Sequence, residues 1–103
     1  MLMRNEDFAL YLTQILGTTL VLDDGTRVKP IYIAWSDLTV GQYEMALQGI
    51  KRAAIDELTR LKAHERLRFE FNEIPDDLNS LLMDLAGPGN KCIDWAEIDM
   101  EEE

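Results

Sequence analysis

A chain of 103 residues, 47% hydrophobic and 29% charged, is long enough for one domain with a modest core, and this composition is globular rather than disordered. A net charge of −10 argues against direct binding to nucleic acid or to an anionic membrane. No uncharged run reaches the ~20 residues of a membrane-spanning helix, and the single cysteine, Cys92, excludes an intrachain disulfide.

The charge is unevenly placed. Residues 1–68 carry nine acids and nine bases, whereas residues 69–103 carry eleven acids and one base, Lys91. The whole imbalance therefore sits in the last third, which repels polyanions and attracts a basic protein surface. The opening "MLMRNEDFALYL" sets acids directly before apolar residues, unlike a signal peptide. Together with the lone cysteine, it gives the expectation of a soluble cytoplasmic protein.

In chain order, Asn5 is placed to cap a first helix, with Glu6 and Asp7 in the first turn, where a helix favours negative charge. Phe8, Leu12, Ile15 and Leu16 share one face of it, and Gly17 offers a stop. In "TTLVLDDGTRVKPIYIAW" the pair Asp24-Gly25 predicts a hairpin with a type I′ turn, positive in φ at both central residues. Pro30 cannot donate to a ladder, which makes the second strand an edge strand or a bulged one there.

Thr39 and Gln42 have capping-box spacing ahead of the main helix, about residues 39–63 and about 37 Å long. Tyr43, Leu47, Ile50, Ala54, Leu58 and Leu61 form its apolar stripe. In "RLRFEF", Leu67, Phe69 and Phe71 alternate with polar residues, which reads as a strand; a helix continuing to about residue 70 is the alternative. Pro75, Asp76 and Asp77 start a short helix with Leu78, Leu81, Leu82 and Leu85 on its apolar face, ended by "GPG" at 87–89. In "CIDWAEIDMEEE", Ile93 and Trp95 are out of phase with Ile98 and Met100. A strand bulged near Ala96 places all four on one face and Asp94, Glu97, Asp99 and Glu101 on the other. A disordered acidic-aromatic peptide that folds on a partner is the other reading of this segment.

These elements predict a single α+β domain over residues 1–103, in the order α-β-β-α-β-α-β, with the long amphipathic helix packed on an antiparallel sheet.

Chemical signatures are sparse. His64 is the only histidine, and Cys92, 28 residues away, completes no zinc cluster. "DWAEIDMEEE" lacks the glycine turn and ligand spacing of a calcium loop. "LDDGTR" and "GPGNK" lack the spacing of a phosphate-binding loop. Asp76/Asp77 and Glu6/Asp7 are explained by helix electrostatics. The expectation is no catalytic residue, no metal and no cofactor. Lys51, Arg52, Arg60, Lys62, Arg66 and Arg68 cluster, but Asp56, Glu57 and Glu65 interleave with them. Phe69 and Phe71 alternate as core residues do, rather than as a base-stacking platform. The cluster reads as a charge-mixed helix face, or as the internal partner of the acidic third.

Two functional readings follow. In the first, the chain is a non-enzymatic interaction module, a small acidic inhibitor or antagonist that docks carboxylates on a basic partner of the nucleic-acid-handling kind. A duplex carries one charge per about 1.7 Å of axis, and alternate strand residues about 6.6 Å apart can hold carboxylates in the place of phosphates. The binding residues are then Asp94, Glu97, Asp99 and Glu101, extended by Asp76, Asp77 and Asp84, with Trp95 as an apolar anchor if exposed. In the second, the long helix is a structural or homodimer surface and the acids only solubilise.

Overall fold

The computed structural model describes residues 3–95. Helix α1 (Asn5–Leu16) precedes a hairpin of β1 (Leu20–Val21) and β2 (Arg27–Ile31). A 3-10 turn at Trp35–Asp37 leads into α2 (Val40–Arg60), followed by β3 (Leu67–Phe71), α3 (Asp76–Ala86) and β4 (Lys91–Asp94). The class and the order of elements are those read from the sequence. The sheet differs in one respect: its strands lie in the order β1-β2-β3-β4, and only β1 and β2 are antiparallel. β2 pairs parallel with β3, and β3 parallel with β4. The reason is the connection between them. A hairpin reverses the chain, whereas α2 and α3 each carry it back to the end where the previous strand began.

The local chemistry explains most boundaries. Thr39 and Gln42 form the full capping box: Gln42 N–H donates to Thr39 Oγ1 at 3.1 Å, and Thr39 N–H donates to Gln42 Oε1 at 3.3 Å. Helix α2 ends at Arg60 without glycine or proline. Glu65 ends it instead, accepting the Lys62 N–H at 2.9 Å while its own N–H returns to the Lys62 carbonyl at 3.0 Å. The strand over 67–71 is thereby free to form, and the continuous helix to residue 70 does not occur.

Three local expectations are corrected. The cap of α1 is Arg4, not Asn5, which is already helical; Arg4 has extended backbone angles and no side-chain cap bond. Gly17 ends α1 at φ −77, in the right-handed region, so its conformational freedom is not what stops the helix. In the hairpin only Gly25 has positive φ (+90), so the turn is not type I′. Gly25 N–H donates to the Leu22 carbonyl and Leu22 N–H to the Thr26 carbonyl, a three-residue loop with glycine in the left-handed position. Asp24 Oδ1 accepts the Thr26 N–H at 2.9 Å, and that bond holds the Asp24 carboxyl below its usual range.

Pro30 sits inside β2, opposite Glu70 of β3. Arg27 N–H reaches the Arg66 carbonyl and Ile31 O accepts from Asn72, so the odd-numbered residues bond toward β3. Pro30 nitrogen then faces the β1 side, where β1 pairs only as far as Leu20↔Val28. Its missing donor costs the ladder nothing because β1 stops short of it. The expected edge or bulged strand is nonetheless corrected: β2 lies between β1 and β3, in unbroken register with β3.

All three helices cover one face. Ile31, Leu67, Phe69 and Phe71 of the sheet meet Phe8 and Leu12 of α1, Ala46, Ile50 and Ala54 of α2, and Leu78 and Leu82 of α3. The main stripe is thus spent on the chain's own core: Ile50 and Ala54 are fully buried, and Tyr43, Leu47, Leu58 and Leu61 pack against the cluster.

Asn90 fastens the C-terminal end of α3 to the start of β3. Its Oδ1 accepts the Leu67 N–H and its Nδ2 donates to the Ala86 carbonyl, both at 2.7 Å. Asn90→Ala leaves two partly buried backbone groups without partners, and is expected to lower unfolding free energy by about 1–3 kcal/mol in a urea titration.

Candidate functional site

Because β2, β3 and β4 are parallel, their carboxyl ends lie together, and α2 and α3 begin there. This is the end of an open sheet at which loops converge. After Phe71 the chain turns through Glu73, whose φ of 59 is rare for a residue with a side chain. The register Phe71↔Asp94 brings the end of β4 beside this loop. The Asp94 carboxylate accepts the N–H of Glu73 at 3.2 Å and of Ile74 at 2.9 Å. Asp77, in the first turn of α3, accepts the Leu78 N–H at 3.0 Å and the Tyr43 hydroxyl at 2.5 Å, tying α3 to the first turn of α2. Burial first, then the bond and charge of Asp77, push the Tyr43 phenol up to about 12.

Asp76 and Glu73 stand exposed beside these two engaged carboxylates. Asp84 is exposed farther along α3, toward its C-terminal end and away from the strand-end group. Among the described residues, no ion pair within 4.0 Å reaches Glu73, Asp76, Asp77 or Asp84. Glu97, Asp99 and Glu101, and the bulge expected near Ala96, lie outside the described residues.

Trp95 is half-buried and takes neither of its expected roles in pure form. It lies on the face opposite the helices, its ring 4.5 Å from Tyr32 edge-to-face and its indole N–H donating to Glu70 Oε2 at 2.9 Å. Glu70 Oε1 also holds Arg68 at 2.8 Å. Cys92, not Ile93 or Trp95, packs against the core cluster. It is thus the face of Cys92 that meets the helices: Asp94 turns toward the β3–α3 loop, and Trp95 belongs to a different surface from Asp76 and Asp77.

The expected basic cluster is dispersed. Arg60 pairs with Glu57 on the helix side, Arg68 with Glu70 on the far side, and Phe69 and Phe71 are wholly buried. Arg68–Glu70 is the pairing with the acidic third that the structure brings about among the described residues.

The sequence reading missed a buried ionic centre. Glu57 is 5% exposed and Lys29 3%. Glu57 Oε2 accepts from Arg27 Nη2 at 3.0 Å, while Oε1 lies 3.8 Å from Lys29 Nζ and 3.6 Å from Arg60 Nη1. Lys29 Nζ also donates to Thr19 Oγ1 at 3.3 Å. Burial lowers the Lys29 pKa, opposed by the charge of Glu57. The signal was present in the spacing: Glu57 continues the line of Ile50 and Ala54, and Lys29 shares strand phase with Ile31.

Two outcomes are expected. Glu57→Gln removes the counter-charge from a buried lysine and should cost about 3 kcal/mol in chemical denaturation. Burial pushes the Cys92 thiol up to about 11, so at pH 8 only about one thiol in a thousand is ionised, and its alkylation should run about two orders of magnitude slower than that of a free cysteine. The folded chain keeps this proton where the unfolded chain releases it. The stability contributed below the ordinary thiol pKa of 9.0 is therefore lost as pH rises through about 11. Cys92→Ala should flatten that slope in pH-dependent melts.

Among the described residues, no helix is long and apolar enough to cross a membrane, and no group of three or more His, Cys, Asp or Glu side chains is placed to hold a metal ion. No protein-family model, curated protein or solved structure matches the chain.

Proposed function

We propose that the chain is a non-enzymatic interaction protein, a small acidic inhibitor or antagonist that presents the carboxyl end of its sheet to a basic partner of the nucleic-acid-handling kind. The observation that carries this reading is the unequal neutralisation of its two ends. Arg27, Lys29 and Arg60 gather on Glu57 at one end. Asp76, Asp77 and Glu73 stand at the other with no ion pair among the described residues, beside Asp94. The sequence continues from Asp94 directly into Glu97, Asp99 and Glu101. Asp76, Asp77 and Glu73, without an ion pair among the described residues, raise a local negative potential, which draws a basic surface from about a Debye length away. Carboxylates on rigid elements can then occupy cation sites that otherwise take phosphates.

The alternative, association through the main stripe of α2, loses support because that stripe is packed into the chain's own core. Val40 and Ile55 are the large apolar side chains that α2 leaves exposed.

The test is affinity capture from the native host with three baits: the unaltered chain, a variant with Asp76, Asp84, Asp99→Asn and Glu97, Glu101→Gln, and Ile55→Ser. The expected partner is basic, is retained by Ile55→Ser and is lost from the carboxamide variant. Its affinity for the unaltered chain should fall about ten-fold or more between about 50 and 200 mM salt. An unchanged partner list for the carboxamide variant overturns the proposal.

A further inference from the structure

A groove of about 330 Å³ lies at the other end of the molecule, between α1, β2 and the C-terminal half of α2. Lys29 lines it from the sheet, and Arg52, Asp56, Glu57 and Arg60 line it from α2. At Gly49 the Leu16 side chain of α1 lies directly against the backbone of α2: a Cβ there would be 2.9 Å from Leu16 Cδ1. The groove is thus walled where Leu16 packs on Gly49 and floored by a lysine that is almost fully buried.

Its charges do not balance. Glu57 alone serves Arg27, Lys29 and Arg60, and Arg52 and Asp56 add one charge of each sign. Three cations (Lys29, Arg52 and Arg60) therefore line the groove against two carboxylates, and Arg27, outside the lining, draws on one of these, inside a chain whose net charge is −10. The Lys29 ammonium has three donors. Among the described residues it makes one hydrogen bond, to Thr19, and Glu57 Oε1 at 3.8 Å lies beyond hydrogen-bond range. A cationic, half-enclosed pocket with donor capacity left over is chemically complementary to an anion.

We infer that this groove binds a compact small molecule through a phosphate or carboxylate group, with Lys29 beneath it and Arg52 and Arg60 closing on it from α2. The ligand's charge offsets the excess of cations, and its oxygens take up the remaining Lys29 donors. The two guanidinium groups lie on the exposed side of α2, so they set affinity and access, while Lys29 is already held in place by Glu57 and Thr19. The volume lies near the lower end of small-molecule pockets, about 300–1,000 Å³, which suits a single phosphorylated or carboxylated unit.

The experiment is an NMR titration of the full chain with sodium phosphate and, separately, sodium succinate, against sodium chloride at matched ionic strength. Saturable shifts are expected at the backbone amides of Lys29, Gly49, Arg52 and Arg60, and the more effective anion identifies the group recognised. Arg52→Gln, which leaves the Glu57 pairs intact, and Arg60→Gln should each weaken binding about ten-fold, the worth of a charge-assisted hydrogen bond. Arg66→Gln, outside the groove, should change it less than about two-fold on the same scale. The inference is overturned if neither anion gives saturable shifts, if chloride shifts the same amides equally, or if Arg66→Gln weakens binding as much as the groove variants do.

Discussion

The arrangement of this molecule depends on two helical crossovers that each return the chain to the same end of the sheet. β2, β3 and β4 are parallel because α2 and α3 intervene between them. Parallel strands with helices on one face align every helix start with the strand carboxyl ends and every helix end with the strand amino ends. α1 follows the same direction: Gln42, in the first turn of α2, donates to the Met3 carbonyl, while Leu16 at the far end of α1 meets Gly49. Helix electrostatics then sorts the charges. Glu6, Asp7, Asp76 and Asp77 occupy first turns, and Arg60 occupies a last turn. The acidic first turns of α1 and α3 and the basic last turn of α2, set in one orientation, contribute to an acidic end and a basic end of the domain.

The basic end solves a harder problem than the acidic one. Lys29 stands on the helix-facing side of β2, level with Phe69 in the neighbouring strand. Strand periodicity leaves it no route to solvent without shifting Arg27 and Ile31 with it. An unpaired ammonium at that depth is costly, and Glu57 supplies the opposite charge from the buried face of α2. Arg27 and Arg60 then share the same carboxylate, one from the sheet and one from the helix end. The centre therefore links β2 to α2 at the point where apolar packing gives way to the groove.

Much of the fold was legible from local chemistry. The Thr39–Gln42 box, the alternation of Leu67, Phe69 and Phe71, and the glycines after α3 each act within a few residues, so sequence spacing carries them. What was not legible depends on distance. Strand direction is decided by which strands meet, and the hairpin alone suggested an antiparallel sheet. The end of α2 is made by a side chain, Glu65, that offers no breaker signature, and Asn90 bridges elements 23 residues apart in sequence. For the acidic surface, sequence grouped Asp76 and Asp77 with Asp94 by charge alone. Their common location needed the parallel register that sets Phe71 opposite Asp94. Glu57 and Lys29 followed their buried phases faithfully, but charge masked them as surface residues.

The acidic end also shows that its carboxylates are not equivalent. Asp94 and Asp77 spend their oxygens on Glu73, Ile74, Leu78 and Tyr43, so they fix the loop and the helix start as well as carrying charge. Asp76 and Glu73 project from the scaffold that these bonds hold rigid. On the proposed reading, a partner meets the second pair directly and feels the first through the potential alone, a division that preorganises the surface before contact. The Glu57 centre, at the opposite end, holds Arg27, Lys29 and Arg60 away from the same approach. On the same proposed reading, this charge separation orients the encounter, drawing a basic surface to the strand carboxyl ends rather than to the groove end.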